Sequence, residues 1–192
     1  GGGGGEAGGS GAQERASASS LQKAIEGGFW DVLLMYVDVH KHMNSSSPKE
    51  EKWQAIRRWS DEELIALQKQ AIATLHKLAP LDVMAFAEVK GPDILVECLK
   101  SLINSSHSQS LLLPLIQMLI SLSGLPKLQE RFGEIGAIEA ASSILSDPSI
   151  GDVVREDAST WISMLCRANA GNQGRFRECN GVDRLVSQVR DL

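Results

Sequence analysis

Between Leu64 and Leu102 the apolar positions recur every three or four residues, in three runs separated by helix breakers. Leu64, Leu67, Ala71, Leu75 and Leu78 mark one face of a long helix. Ser60-Asp-Glu-Glu63 ahead of them is a capping box, in which the serine accepts from the Glu63 amide and Glu63 reaches back. Pro80 ends the helix, because proline has no amide to continue the ladder. Leu81, Met84 and Phe86 then predict a short helix ended by Gly91, and Ile94, Leu95, Cys98, Leu99, Leu102 and Ile103 a third. A single unit of this kind cannot bury all its apolar faces, so the pattern asks for copies beside it.

The copies are present. Phe86-Ala-Glu-Val-Lys-Gly91 recurs as Phe132-Gly-Glu-Ile-Gly136 and as Phe176-Arg-Glu-Cys-Asn-Gly181, which sets the glycines 45 residues apart. Each glycine is expected to close one helix in a left-handed conformation and turn into the next. Further long helices are expected from about Ser108 to Ser123, starting late or kinked because of Pro114, and from near Asp152 to about Arg167. The second of these has Val154, Ala158, Trp161, Ile162 and Leu165 on its apolar face. Gly27-Gly28, followed by Phe29, Val32, Leu33, Tyr36 and Val37, reads as the end of an earlier, incomplete unit.

At the other end, helices are expected over Gly171–Asn180 and Gly181–Leu192, with no third helix to follow. Val182, Leu185, Val186 and Val189 would then be left partly uncovered, so the C-terminal face is expected to be covered by further repeats or by a partner.

Composition divides the chain in two. Residues 1–20 are Gly, Ser and Ala with little to bury, a disordered tail, and residues 21–192 form one helical repeat domain. That domain carries an insertion at 44–59, a polar Asn-Ser-Ser-Ser-Pro start followed by Lys49-Glu-Glu-Lys-Trp-Gln-Ala-Ile-Arg-Arg-Trp59. Trp53 and Ile56 share a helical face, with Arg57 beside them and Trp59 three residues on. They are candidate partner-docking residues. The commoner fate of such aromatics is to pack back on an adjacent helix.

The net charge of −5 argues against nucleic acid, whose affinity rests on neutralising phosphates. The longest apolar run, Leu111 to Ile120, is interrupted by Pro114 and Gln117 and is too short for a membrane span. Cys98, Cys166 and Cys179 form no CxxC pair, and His40 and His42 at i and i+2 point to different sides of a helix. No metal or catalytic residue, and no cofactor, is assigned. A Cys166–His76 arrangement is the one nucleophilic pairing the sequence leaves open.

A short helix ending in Gly, a medium helix with a Leu-rich face, and a long helix of the form A-x-x-x-L-x-x-L-A resemble the armadillo repeat. Ala71-Ile-Ala-Thr-Leu75-His-Lys-Leu78-Ala79 is the best match. The resemblance implies an all-α fold, an armadillo/HEAT-like right-handed α-solenoid of about three to four repeats, the first and last incomplete. Its long helices would line a concave groove. Trp59-Ser60 and Leu67 to Pro80 also resemble an internal segment of the armadillo-type cilia- and flagella-associated proteins of the motile-cilium central apparatus.

In the importin and catenin members of the family, a ladder of Asn on the long helices clamps an extended peptide. The matching positions here are Lys77, Ser121 and Met164, and the neighbouring Trp positions hold Ala73, Gln117 and Thr160. No Asn or Trp survives, so the nuclear-signal-receptor reading loses its chemistry and the scaffold reading stands. The resemblance thus implies a non-enzymatic interaction scaffold in an axonemal assembly, cytoplasmic or cytoskeletal, whose partners are other proteins of that assembly. An armadillo-type peptide-binding adaptor for transport or adhesion is the alternative. Neither reading involves nucleic acid or a membrane.

Overall fold

The computed structural model describes residues 28–39, 59–105 and 109–190, and every regular element among them is helical. In chain order these are α1 Phe29–Val37, α2 Asp61–Leu78, a single 3-10 turn Ala79–Leu81, α3 Val83–Glu88, α4 Gly91–Ile103 and α5 Gln109–Ser123. There follow α6 Pro126–Glu134, α7 Ala137–Ser146, α8 Asp152–Cys166, α9 Ala170–Glu178 and α10 Gly181–Arg190. The tail at 1–20 and the insertion residues 44–58, with Trp53, Ile56 and Arg57, lie outside the described residues.

Local signals place the ends of these helices. The capping box at α2 is formed: Ser60 Oγ accepts from the Glu63 amide at 3.3 Å, and the Ser60 amide donates to Glu63 Oε2 at 2.8 Å. Those bonds, the backbone one foremost, hold the Glu63 carboxyl below its ordinary pKa. Helix α5 starts at Gln109 and carries Pro114 inside it, where the proline forfeits one ladder bond, so the late start that the sequence offers is not taken.

The corner between units differs from the sequence expectation in an instructive way. The left-handed residue is Gly28 before α1, Lys90 before α4, Gly136 before α7 and Asn180 before α10, with φ of 79°, 58°, 85° and 56°. The last three stand 46 and 44 residues apart, so the equal glycine spacing averages two unequal units. Gly91 and Gly181 are not the hinge; each is the first residue of the following helix. They are glycine for room, since a Cβ on Gly91 would lie 2.2 Å from Phe86 Cε2, and one on Gly181 would lie 1.9 Å from Phe176 Cε2. Phe132 stands the same five residues ahead of Ala137, where an alanine is accommodated. The repeated unit is therefore a phenylalanine beneath the first turn of the next helix, swung there by a left-handed residue.

Like helices pack in series. α1, α4, α7 and α10 lie side by side in one row, and α2, α5 and α8 in a second. The rows join through α1–α2, α4–α5 and α7–α8, while α3 rests on α4 and α6 reaches α4, α5, α7 and α8. One core runs between the rows. Trp30 meets Phe86 at 5.5 Å between ring centroids, and Phe132 meets Trp161 edge-on at 6.3 Å. One polar stitch inside the core is a two-bond chain: Trp161 Nε1 donates to Ser123 Oγ at 2.9 Å, and that hydroxyl donates to the Leu119 carbonyl at 2.7 Å.

Periodicity misplaces one face. The buried side of α2 is Leu64, Gln68, Ala71, Ile72 and Leu75, while Leu67 and Leu78 are only half-buried. Gln68 turns inward because its Nε2 donates to the Val37 carbonyl at the end of α1, at 2.9 Å. Leu81 and Met84, expected in the short helix with Phe86, are 66% and 53% exposed, and Leu81 belongs to the 3-10 turn. On α10, Leu185 packs against the core, while Val182 and Val186 are exposed. The side chain of Val189 lies outside the described set.

The corner geometry predicts that Gly91→Ala lowers stability by about 1–3 kcal/mol, because the buried Phe86 ring must move. Lys90→Gly relieves a left-handed lysine and is expected to be neutral or to stabilise by up to about 1 kcal/mol. Thermal unfolding followed by circular dichroism checks both; a Gly91→Ala chain melting with wild type would show that the ring is free to shift.

Candidate interaction surface

The α2–α5–α8 row turns its inner face to the core and its outer face to solvent. On α2 a second stripe, opposed to the buried one, runs through Glu63, Ala66, Leu67, Gln70, Ala73, Thr74, Lys77 and Leu78. The three-and-four spacing of this stripe gives two hollows. The larger, of about 360 Å³, is lined by Trp59, Glu63, Ala66, Leu67 and Gln70. The smaller, of about 160 Å³, is lined by Gln70, Ala73, Thr74, Lys77 and Leu78. Gln70 is common to both, so Trp59, which is 43% exposed, and Lys77 lie on one stripe.

Ser121 and Met164 form a second cluster further along the row. Gly124 lies between them: a Cβ there would stand 3.5 Å from the Ser121 carbonyl oxygen and 3.7 Å from Met164 Cε. Gln117 Nε2 donates to Asp157 Oδ2 at 3.3 Å, linking the outer faces of α5 and α8. Trp59 and Lys77 thus line neighbouring hollows on α2, and the Ser121 carbonyl and the Met164 side chain both approach Gly124. Ala66, Gln70 and Asp157 are absent from the sequence reading, Glu63 enters it only as a cap, and Leu67 and Leu78 count there toward the buried stripe. On α2 it is Gln68, turned inward, that occupies the buried face in place of Leu67.

The densest polar cluster lies elsewhere and is a helix closure. The last carbonyls of α8 have no partner within the helix. Gln129 Nε2 reaches those of Met164 and Arg167 at 2.7 and 2.9 Å, Asn172 Nδ2 that of Leu165 at 2.8 Å, and Gln173 Nε2 that of Cys166 at 2.9 Å. Asn172 is fully buried and also donates to the Gln129 carbonyl at 3.0 Å, while its own oxygen accepts from Arg175. Gly133 makes room for it, since a Cβ there would fall 1.8 Å from Asn172 Oδ1. The amide nitrogens of Gln129, Asn172 and Gln173 are all spent on backbone carbonyls.

Cys98 is a packing residue by the same test. Burial pushes the Cys98 thiol up to about 12, with Asp38 adding to the effect, and its Sγ lies 3.5 Å from the Val37 carbonyl. Burial first, then Cys179, also raises Cys166, with Arg177 opposing. Among the described residues no three His, Cys, Asp or Glu side chains gather as a metal site, and no helix is long and apolar enough to cross a membrane.

The fold and this surface define an all-helical chain of serially packed units with an exposed, shallowly grooved row. No protein-family model matches the chain, and comparison with curated proteins finds no match to its sequence.

Asn172→Ala leaves the Leu165 and Gln129 carbonyls without their donor and is expected to cost about 2–3 kcal/mol, read as a lowered melting temperature. For the thiols, a group titrating near 12 is ionised to about one part in ten thousand at pH 8. Iodoacetamide on the folded chain at that pH should therefore modify Cys98 last, with peptide mass spectrometry giving the order. Early loss of Cys98 would show that its site opens readily.

Proposed function

We propose that this protein is a non-enzymatic interaction scaffold, an armadillo-like right-handed α-solenoid whose α2–α5–α8 row is its protein-docking surface. The observation that carries this reading is the serial packing of like helices, with α4, α7 and α10 each entered through a left-handed corner over a buried or half-buried phenylalanine. Serial packing spreads surface over a long strip without concentrating it in a cleft, and proteins built this way bind along that strip. Three buried or half-buried polar groups, Asn172, Gln129 and Cys98, are committed to backbone carbonyls. What the outer row offers is Trp59, Lys77, Ser121, Met164 and the Gln117–Asp157 pair, a mixture of an aromatic anchor and polar rim suited to a protein partner.

The setting we propose is a large cytoskeletal assembly, the axonemal central apparatus of a motile cilium or flagellum. It is supported by the resemblance of Trp59–Ser60 and Leu67–Pro80 to armadillo-type ciliary scaffold proteins. The test is a binding comparison using axonemal extract and two chains, wild type and the triple variant Lys77→Glu, Ser121→Arg, Met164→Arg. Wild type should retain identified central-apparatus proteins, and the triple variant should lose them at an unchanged melting temperature. Retention by both chains would move the interface off this row. Binding of arrayed extended peptides, without central-apparatus proteins, would favour the adaptor class.

A further inference from the structure

We propose that the end of α8 and helix α9 form a second protein-docking surface, which takes an acidic segment of a partner through Arg167, Arg175 and Arg177. It does not rest on what the α2–α5–α8 row binds.

The arginines here are placed differently from the described ones earlier in the chain. Arg131 is ion-paired with Asp93 and Glu134, and Arg155 with Asp152. Among the described residues, the guanidinium groups of Arg167, Arg177 and Arg184 have neither a hydrogen bond nor an ion pair. Arg175 has one bond, to the Asn172 amide oxygen at 3.0 Å. Three of the four gather at one place. Arg167 directly follows the last residue of α8. Arg175 reaches the same end through Asn172, whose Nδ2 holds the Leu165 carbonyl. Arg177 lies close enough to Cys166 for its charge to oppose the rise that burial, and then Cys179, give that thiol.

The ordinary use of arginines at a helix C-terminus is to satisfy its open carbonyls. That use is already filled, since Gln129, Asn172 and Gln173 hold the carbonyls of Met164, Leu165, Cys166 and Arg167. Nor do neighbouring helices neutralise these cations. α6, packed on α9, carries Lys127 and Arg131 against Glu130 and Glu134. Glu139 of α7 sits beside Lys100 at the Gly136 corner. Asp157, the last acid of α8, lies about 15 Å of helix axis before Arg167, beyond the reach of an ion pair.

The surroundings select the partner. Glu178 and Asp183 stand exposed among the arginines, and Val182 and Val186 are exposed on α10, which packs on α9. A uniform polyanion, whether nucleic acid or anionic membrane, would meet those two carboxylates as well as the arginines. A protein segment can set its carboxylates against the guanidinium groups as forked pairs, and its apolar side chains against the valines. The net charge of −5 further opposes a long polyphosphate.

Fluorescence anisotropy with labelled poly-L-glutamate at low salt tests this on the full chain. Arg167→Ala with Arg177→Ala removes exposed side chains that hold nothing in the fold, so the melting temperature should match wild type. Affinity should fall about tenfold or more. Arg167→Gln with Arg177→Gln, which keeps side-chain length, should weaken binding in the same way. The control Lys69→Ala with Lys90→Gly removes the same charge elsewhere and should bind as wild type does. A wild-type chain that ignores poly-L-glutamate overturns the proposal, as does full binding by either arginine variant. Equal weakening by the lysine control would reduce the effect to bulk charge. Tighter binding of single-stranded DNA or of phosphatidylserine vesicles would assign the surface to a nucleic acid or a membrane. Each of these results also overturns the proposal.

Discussion

A helix that ends against a neighbour must turn within two residues and still bury what it leaves behind. This chain meets that constraint with one device. A residue in the left-handed region, Lys90, Gly136 or Asn180, swings the backbone round, and a phenylalanine five residues before the next helix slides beneath its first turn. The first residue of that helix must be small, and it is Gly91, Ala137 or Gly181. The rest of the packing follows from this corner. Because the angle is set locally and repeated, α4 falls beside α1, α7 beside α4 and α10 beside α7, and the long helices are carried into their own row.

The side-chain amides of this protein serve that same geometry. Helices packed in series hide their ends, and hidden carbonyls need donors. Gln68 supplies one at the end of α1, and Gln129, Asn172 and Gln173 supply them at the end of α8. Spending these groups on closure leaves the outer row shallow and chemically plain. On the scaffold reading proposed above, a partner would be recognised along this row by shape and edge polarity.

The two hollows on α2 follow from a single inward turn. With Leu67 buried, the helix would have one apolar face and a plain polar back. With Gln68 buried, Leu67 and Leu78 are held at the boundary, and both contribute to the lining of the hollows. A polar residue buried for the sake of a neighbour's carbonyl thus creates a surface on the opposite side of its own helix.

The sequence by itself determined the helices and the approximate places where they end, because caps, breakers and three-or-four periodicity act within one turn of backbone. Ser60-to-Glu63, Pro80 and the Phe-to-Gly motifs were legible for that reason, as was the repetition of the unit. Tertiary structure decided which residue of each corner is left-handed, since Gly91 and Lys90 differ only in what the Phe86 ring leaves room for. It also decided that Gln68 goes in and that Leu81 and Met84 stay out, because the Val37 carbonyl that claims Gln68 lies 31 residues away. The surface on α2 was illegible on the same ground. Which side of a helix faces solvent is settled by partners distant in sequence, and periodicity reports only that two sides differ.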